Sequence, residues 1–319
     1  MNRHLEKLGL IVLIALSGSV SAQTAGKTVH SGQQDVVFIK GLGFVDALLE
    51  KWISEYSKEH SDVALSIAGK DAGEHSIEVV PFGKQKGDSL QAQAATVSFG
   101  RYAVLPIAGK DNVLPDELKK KKLNEKRIKE LFFEKDFLAD DYEPDTKKKY
   151  DVTVYSGNHS CSVSHLFAGH FGYDAGNLKG KKIAGDDIYL NSAVKKDVKG
   201  ISFNSLSYVF NTESRQLNDG IVLFPLDVKK EYAEILNLQD LDETIRLLEN
   251  KDIGLIPVEE LTFVLPGKIN PATLQFLEWT LSKGQDYLHS CGFLRLDGKT
   301  LARQQKQLSE LETKLLANK

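Results

Sequence analysis

The 319-residue chain is predicted to be an α/β protein, and three observations predict it. Short apolar runs with strand character recur along it. Several end in a glycine-bounded turn, and the residues after such a turn switch to the three-to-four-residue apolar period of a helix. A repeated strand, loop and helix favours a parallel sheet that binds ligands at the carboxyl ends of its strands. Apolar residues make up 41% and charged residues 27%, an ordinary soluble balance with enough apolar material for two domains. The net charge of -3 gives no global attraction for nucleic acid or an anionic membrane, so recognition of an anion must be local.

Arg3 and Lys7 precede the apolar run Leu8 to Ala15, and Val20-Ser21-Ala22 has the small-x-small form of a signal-peptidase site. Residues 1–22 are therefore read as an export signal cleaved after Ala22, giving a soluble periplasmic protein. No cysteine follows the run to carry a lipid anchor, and no later stretch approaches the ~20 apolar residues of a membrane span.

The first strand is Asp35-Val36-Val37-Phe38-Ile39, and Lys40-Gly41-Leu42-Gly43-Phe44 turns it into a helix with Val45, Leu48, Leu49, Trp52, Ile53 and Tyr56 on one face. The glycines permit a tight turn and a close approach by a ligand, although a packing turn needs glycine just as often. Asp62 to Ile67 alternates as a second strand before the loop Gly69-Lys70-Asp71-Ala72-Gly73. Ala95 to Ile107 is strand-like, with a boundary after it. The basic run Lys119 to Lys122 is flanked by Asp116, Glu117 and Glu125 and reads as a solvated face. Asn124 to Phe133 is a capped helix with Ile128, Leu131 and Phe132 inward, and Glu134 to Lys149 is a polar surface excursion.

The stretch around which the chain is organised is Asp151 to Gly172, DVTVYSGNHSCSVSHLFAGHFG. Val152, Val154 and Tyr155 give strand character, and Gly157-Asn158 breaks it. Val163, Leu166, Phe167, His170 and Phe171 then recur with helical spacing, with Ser160 or Ser162 placed to cap the first turn. Unpaired amides and the helix dipole make such a helix start an anion site; the plainer reading is a capped junction that binds nothing.

Beyond it, Gly200 to Asn204 is apolar and Gly220 to Pro225 reads as an edge strand stopped by proline. Val228 to Leu248 carries no clear chemistry. Ile253 to Pro257 and Leu261 to Leu265 read as two strands returning toward the first half, Asn270 to Tyr287 as an amphipathic helix with Pro271 in its first turn, and Leu301 to Leu316 as a charged helix that caps a core or meets a partner. Cys161 and Cys291 are read as free thiols, although export would permit a disulfide. Cys161 near His159 and His165 leaves a thiol nucleophile as an alternative.

Taken in order, residues 34 to 296 resemble the phosphate-binding proteins of the Pst type, periplasmic receptors for an ABC importer. The Gly41-Leu42-Gly43-Phe44 turn and the helix ending Lys51-Trp52 resemble the family's first strand and helix. Gly69 to Gly73 falls where the family has a glycine-serine loop, and Gly157 to Phe167 where it has an arginine-containing loop before a helix. Gly200-Ile201-Ser202-Phe203 resembles its isoleucine-glycine-tyrosine strand, and Phe276 to Leu296, with Gly284-Gln285 and Gly292-Phe293-Leu294-Arg295-Leu296, resembles its closing helix and segment. The resemblance implies an α/β, two-lobed, type 2 periplasmic-binding-protein fold with the ligand cleft between lobes. Residues 34–105 plus 256–319 would form one lobe and 106–255 the other. It also implies that Gly43, Phe44, Lys70, Asp71, Ser160, Cys161, Ser162 and Val163 bind a small anion, phosphate first, and that ABC transporter membrane subunits are the partners. No cofactor, metal or nucleic acid is expected, and the chain is expected to be a monomer.

The family's gripping side chains are replaced here. Its first-loop hydroxyl aligns with Gly43, its arginine with Gly157, and its serine-glycine-threonine with Cys161-Ser162-Val163. The backbone amides of Phe44, Ser162 and Val163 remain, with the hydroxyls of Ser160 and Ser162 and with Lys70 as a compensating charge. Three functions are thus separable. A receptor needs a polar cleft with amides aimed inward. A repurposed scaffold that serves as an envelope interaction component would have a filled cleft, and a hydrolase needs Cys161 within reach of a histidine.

Overall fold

A computed structural model of the chain describes residues 35–68, 77–81, 95–113, 122–134, 150–159, 163–265 and 269–317. The fold is a mixed α/β sheet covered by helices. Strands β1 (Asp35–Lys40), β2 (Val63–Ile67), β3 (Ile77–Pro81), β4 (Ala95–Gly109), β5 (Thr153–Gly157), β6 (Lys181–Ile183), β7 (Gly200–Ser205), β8 (Ile221–Leu223) and β9 (Val258–Leu265) lie in the order β2-β1-β3-β9-β4-β7-β5-β6, with β8 added to β4. The expected parallel sheet is only partly present. Parallel pairing joins β1 to β2 and β3, and β5 to β6 and β7, where helices provide the crossovers. The middle is antiparallel, because β9 returns from late in the chain and inserts between β3 and β4. A repeat of strand and helix cannot announce that return, since the pattern does not say which strand lies beside which.

β4 is fifteen residues long and serves two partners in succession: Ala95 to Ala103 pair with β9, then Val104 to Ala108 with β7. Its burial is nearly continuous, as expected of a central strand covered on both faces. The expected pair of returning strands is one. Ile253 to Pro257 forms a turn, with the Ile256 N–H donating to the Ile253 carbonyl, and only Val258–Leu265 is strand. A proline at position 257 has no N–H to give a ladder.

The helices are α1 (Asp46–Glu59), α2 (Glu125–Phe132), α3 (Val163–His170), α4 (Ile188–Lys196), α5 (Leu206–Val209), α6 (Lys230–Asn237), α7 (Leu241–Asn250), α8 (Pro271–Thr280) and α9 (Gly298–Ala317). α1 buries the predicted Leu48, Leu49, Trp52 and Tyr56. Asn124, Asp240 and Asn270 cap α2, α7 and α8 by accepting from the amides of Arg127, Glu243 and Thr273. Two aromatic clusters anchor the sheet. On the β1 side, Phe99 packs on Phe263 at 4.3 Å between ring centroids, and Trp52 meets Phe99 edge-on at 5.2 Å. On the β5 side, Phe167 stacks on Phe203 at 3.9 Å and meets Phe132 at 5.0 Å. Trp52 Nε1 also donates to the Gly284 carbonyl at 2.8 Å, tying α1 to the turn after α8. Among the described residues no helix is long and apolar enough to cross a membrane. The export signal lies outside the described residues.

Candidate functional site

The predicted cradle has two described ends. At the first, β1 runs through Gly41 and Leu42 into a 3-10 turn, Gly43–Val45, which leads directly into α1. Phe44 is buried, its ring 5.0 Å from Tyr102, and its carbonyl accepts from Ser207 Oγ at 3.2 Å. At the second end, β5 passes through Gly157 to α3, and the Ser164 hydroxyl accepts from the Gly157 N–H at 2.8 Å. Lys70, Asp71, Ser160, Cys161 and Ser162 lie outside the described residues.

Carboxylates meet both ends. The Val163 N–H, at the first turn of α3, donates to Asp187 Oδ2 at 2.9 Å. Asp187 is buried, with His159 Nε2 at 3.5 Å from its other oxygen. Its neighbour Asp186 points at the first turn: a Cβ built on Gly43 would fall 1.6 Å from Asp186 Oδ2. Glycine at 43 is thus required by the close approach of this chain's own carboxylate. A third acid, Asp46, packs against Gly41 in the same way, its Oδ1 2.4 Å from where a Cβ would stand.

The pair is held by α4 and its surroundings. Asp186 Oδ1 accepts from the Ile188 N–H at 2.8 Å, and Asn204 Nδ2 donates to the Asp187 carbonyl at 2.8 Å and to Asn191 Oδ1 at 3.0 Å. Asn191 Nδ2 in turn donates to the Tyr208 carbonyl at 2.6 Å. Burial, and then the hydrogen bond to Asp186, push the Tyr208 phenol well above its ordinary range; Asp46 and Asp187 add to it. Tyr208 therefore remains a neutral donor facing a carboxylate. The site is acidic on the described residues, with the His159 imidazole 3.5 Å from Asp187.

Sequence reasoning missed Asp186 and Asp187. The signal was present in Gly185-Asp186-Asp187 ahead of the helical spacing of Leu190, Ala193 and Val194, since acids gather at helix starts. Their reach to Gly43 and Val163 is a tertiary fact. The nucleophile reading has its histidine at Asp187, while Cys161 is outside the described residues. The Cys291 thiol is free, and burial pushes its pKa up. Among the described residues no group of three or more His, Cys, Asp or Glu side chains is arranged to hold a metal ion.

No family model matches the sequence, and no curated protein matches it. Solved structures do. A structure described as a phosphate ABC transporter substrate-binding protein with bound phosphate, from Clostridium perfringens, superposes with a TM-score of 0.58 at 17% identity, over 82% of this chain and 100% of that one. An ABC-type phosphate transport receptor from Vibrio cholerae does so with a TM-score of 0.51 at 9% identity, over 82% and 100%. The fold is that of the type 2 periplasmic binding proteins. At these identities the likeness is one of fold. Within the type 2 frame the Gly43 turn and the start of α3 belong to strand-to-helix junctions, where ligands are expected in open α/β sheets.

Proposed function

We propose that this chain is an exported, non-enzymatic protein that keeps the solute-receptor scaffold, fills the anion cradle with its own carboxylates, and acts through protein contacts in the envelope. The observation that carries this reading is the Val163 N–H bound to Asp187, together with Asp186 set against Gly43. A charge-assisted hydrogen bond contributes about 1.5 to 3 kcal/mol. Two like unit charges 4 Å apart repel by about 4 kcal/mol at an effective dielectric of 20. A phosphate dianion brought between Asp186 and Asp187 would meet that repulsion at each charge. The α3 amide at Val163 is also already in use, so an incoming anion would have to displace Asp187 to reach it.

A second reading retains uptake: a receptor for phosphate or a related small oxyanion, delivering it to ABC transporter membrane subunits. The folded likeness to two proteins described as phosphate receptors favours it. In that reading Lys70, Asp71 and Ser160 to Ser162 complete the cradle, and the two lobes close on the anion by a hinge. Calorimetric titration of the chain from Gln23, freed of ligand by unfolding and refolding, separates the two. The first reading expects no heat with phosphate or sulfate. Tight, phosphate-selective binding would overturn it and establish the receptor.

A further inference from the structure

The two halves of the sheet meet at more than the cradle, and a second set of contacts lies between α7 and the turn that follows α8. That turn, residues 288–295, belongs to the β1 side: Arg101 and Leu294 exchange backbone hydrogen bonds of 2.8 and 2.9 Å, and Phe293 is fully buried near Phe44. Facing it is a loop of the β7 side. Asn218 bonds back to the Val209 and Tyr208 carbonyls, and the Arg215 carbonyl accepts from the Leu241 N–H, which fixes the start of α7.

From this loop Arg215 reaches out. Its guanidinium donates to Asp242 Oδ1 at 2.6 Å, to the His289 carbonyl at 2.8 Å and to the Ser290 carbonyl at 3.2 Å. Its backbone is left-handed, with φ of 63°, a conformation that is strained for a non-glycine residue and persists only where the surroundings enforce it. In the last turn of α7, Glu249 Oε1 accepts from His289 Nε2 at 2.7 Å and from the Arg295 N–H at 2.6 Å. Two ion-paired side chains on one side therefore satisfy three backbone groups and one imidazole of a single turn on the other.

We propose that Arg215 and Glu249 form a clasp that grips the 288–295 turn and holds the two halves of the fold closed over the contact between Gly43 and Asp186. The clasp consists of protein groups alone, so it works whether or not the cradle takes a ligand, and it goes beyond the functional reading above. Closure is also close-fitting: a Cβ on Gly292, in the clasped turn, would come within 2.9 Å of Ser207 Cα. Ser207 is the residue whose hydroxyl reaches the Phe44 carbonyl, so the clasp and the cradle share one side of the same joint.

Small-angle scattering and amide exchange on the chain from Gln23 test this. The Arg215→Gln/Glu249→Gln variant should show a larger radius of gyration and severalfold faster exchange at residues 43–46 and 289–292. Lys230→Gln, which breaks an exposed pair with Glu234, should match the unmodified chain. Scattering and exchange unchanged in the double variant would overturn the clasp. Should the double variant fail to fold by circular dichroism, Arg215→Lys decides. It keeps the charge but loses the fork to two carbonyls, so faster exchange at 289–292 supports the clasp and unchanged exchange refutes it.

Discussion

Glu249 carries two hydrogen bonds on one oxygen, and its titration follows from them. Burial works to raise its pKa, but the His289 hydrogen bond and the Arg295 N–H prevail, and its carboxyl is held below the ordinary range. A group depressed in the folded state stabilises above its unfolded pKa, about 4.3 for glutamate, and that stability is lost as pH falls through the lower folded value. Glu249→Gln should therefore cost about 1.5 to 3 kcal/mol near pH 7, and the gap to the unmodified chain should be narrower at an acid pH, below the unfolded value of about 4.3. Urea melts at both pH values measure it; a gap that does not narrow would mean that shape, not charge, is what Glu249 supplies. At this scale the sequence was readable where a residue acts locally. Asn124 and Pro271 stand at helix starts as their types require. Asp186, Arg215 and Glu249 act on residues far away in the chain, and no periodicity encodes such a reach.

Among the elements, the turn Cys291 to Phe293 is closely constrained by geometry. Gly292 has φ of 82°, in the left-handed region, and a Cβ added there would lie 2.9 Å from Ser207 Cα. Gly292→Ala should cost about 2 kcal/mol or more, because it combines left-handed strain with a clash against main chain that has little room to give. Denaturant unfolding reads this directly, and a loss under about 0.5 kcal/mol would show that the turn relaxes freely. The strands and helices with strong local patterns, β1, α1, β4 and α2, lie within a few residues of where alternation and helical spacing put them. The elements that the sequence did not reveal are β3, β6, α4, α5, α6 and α7, which are short or largely polar outside their buried face. The 253–257 segment was misread because an apolar run next to proline has the same composition in a turn as in a strand.

At the scale of the whole molecule, β4 decides how the halves behave. One strand pairs with β9 over its first part and with β7 over its second, and the buried residues form one continuous cluster across both. Neither half can lose its sheet without exposing the edge of the other, so heating should produce one transition, with calorimetric and van't Hoff enthalpies in agreement. Two separated transitions would show that the halves unfold independently. The fold class was legible because strand, turn and helix repeat. The acidic cradle was not, since it depends on which loops the topology brings together. The placement of β9 has a further consequence for synthesis. β3 and the first part of β4 are completed by a strand that ends at Leu265, and the Ser98 N–H at the register shift in β4 donates to Gln304 Oε1 of α9 at 3.1 Å. A chain emerging from its N-terminus cannot close its first sheet until its last quarter has been made.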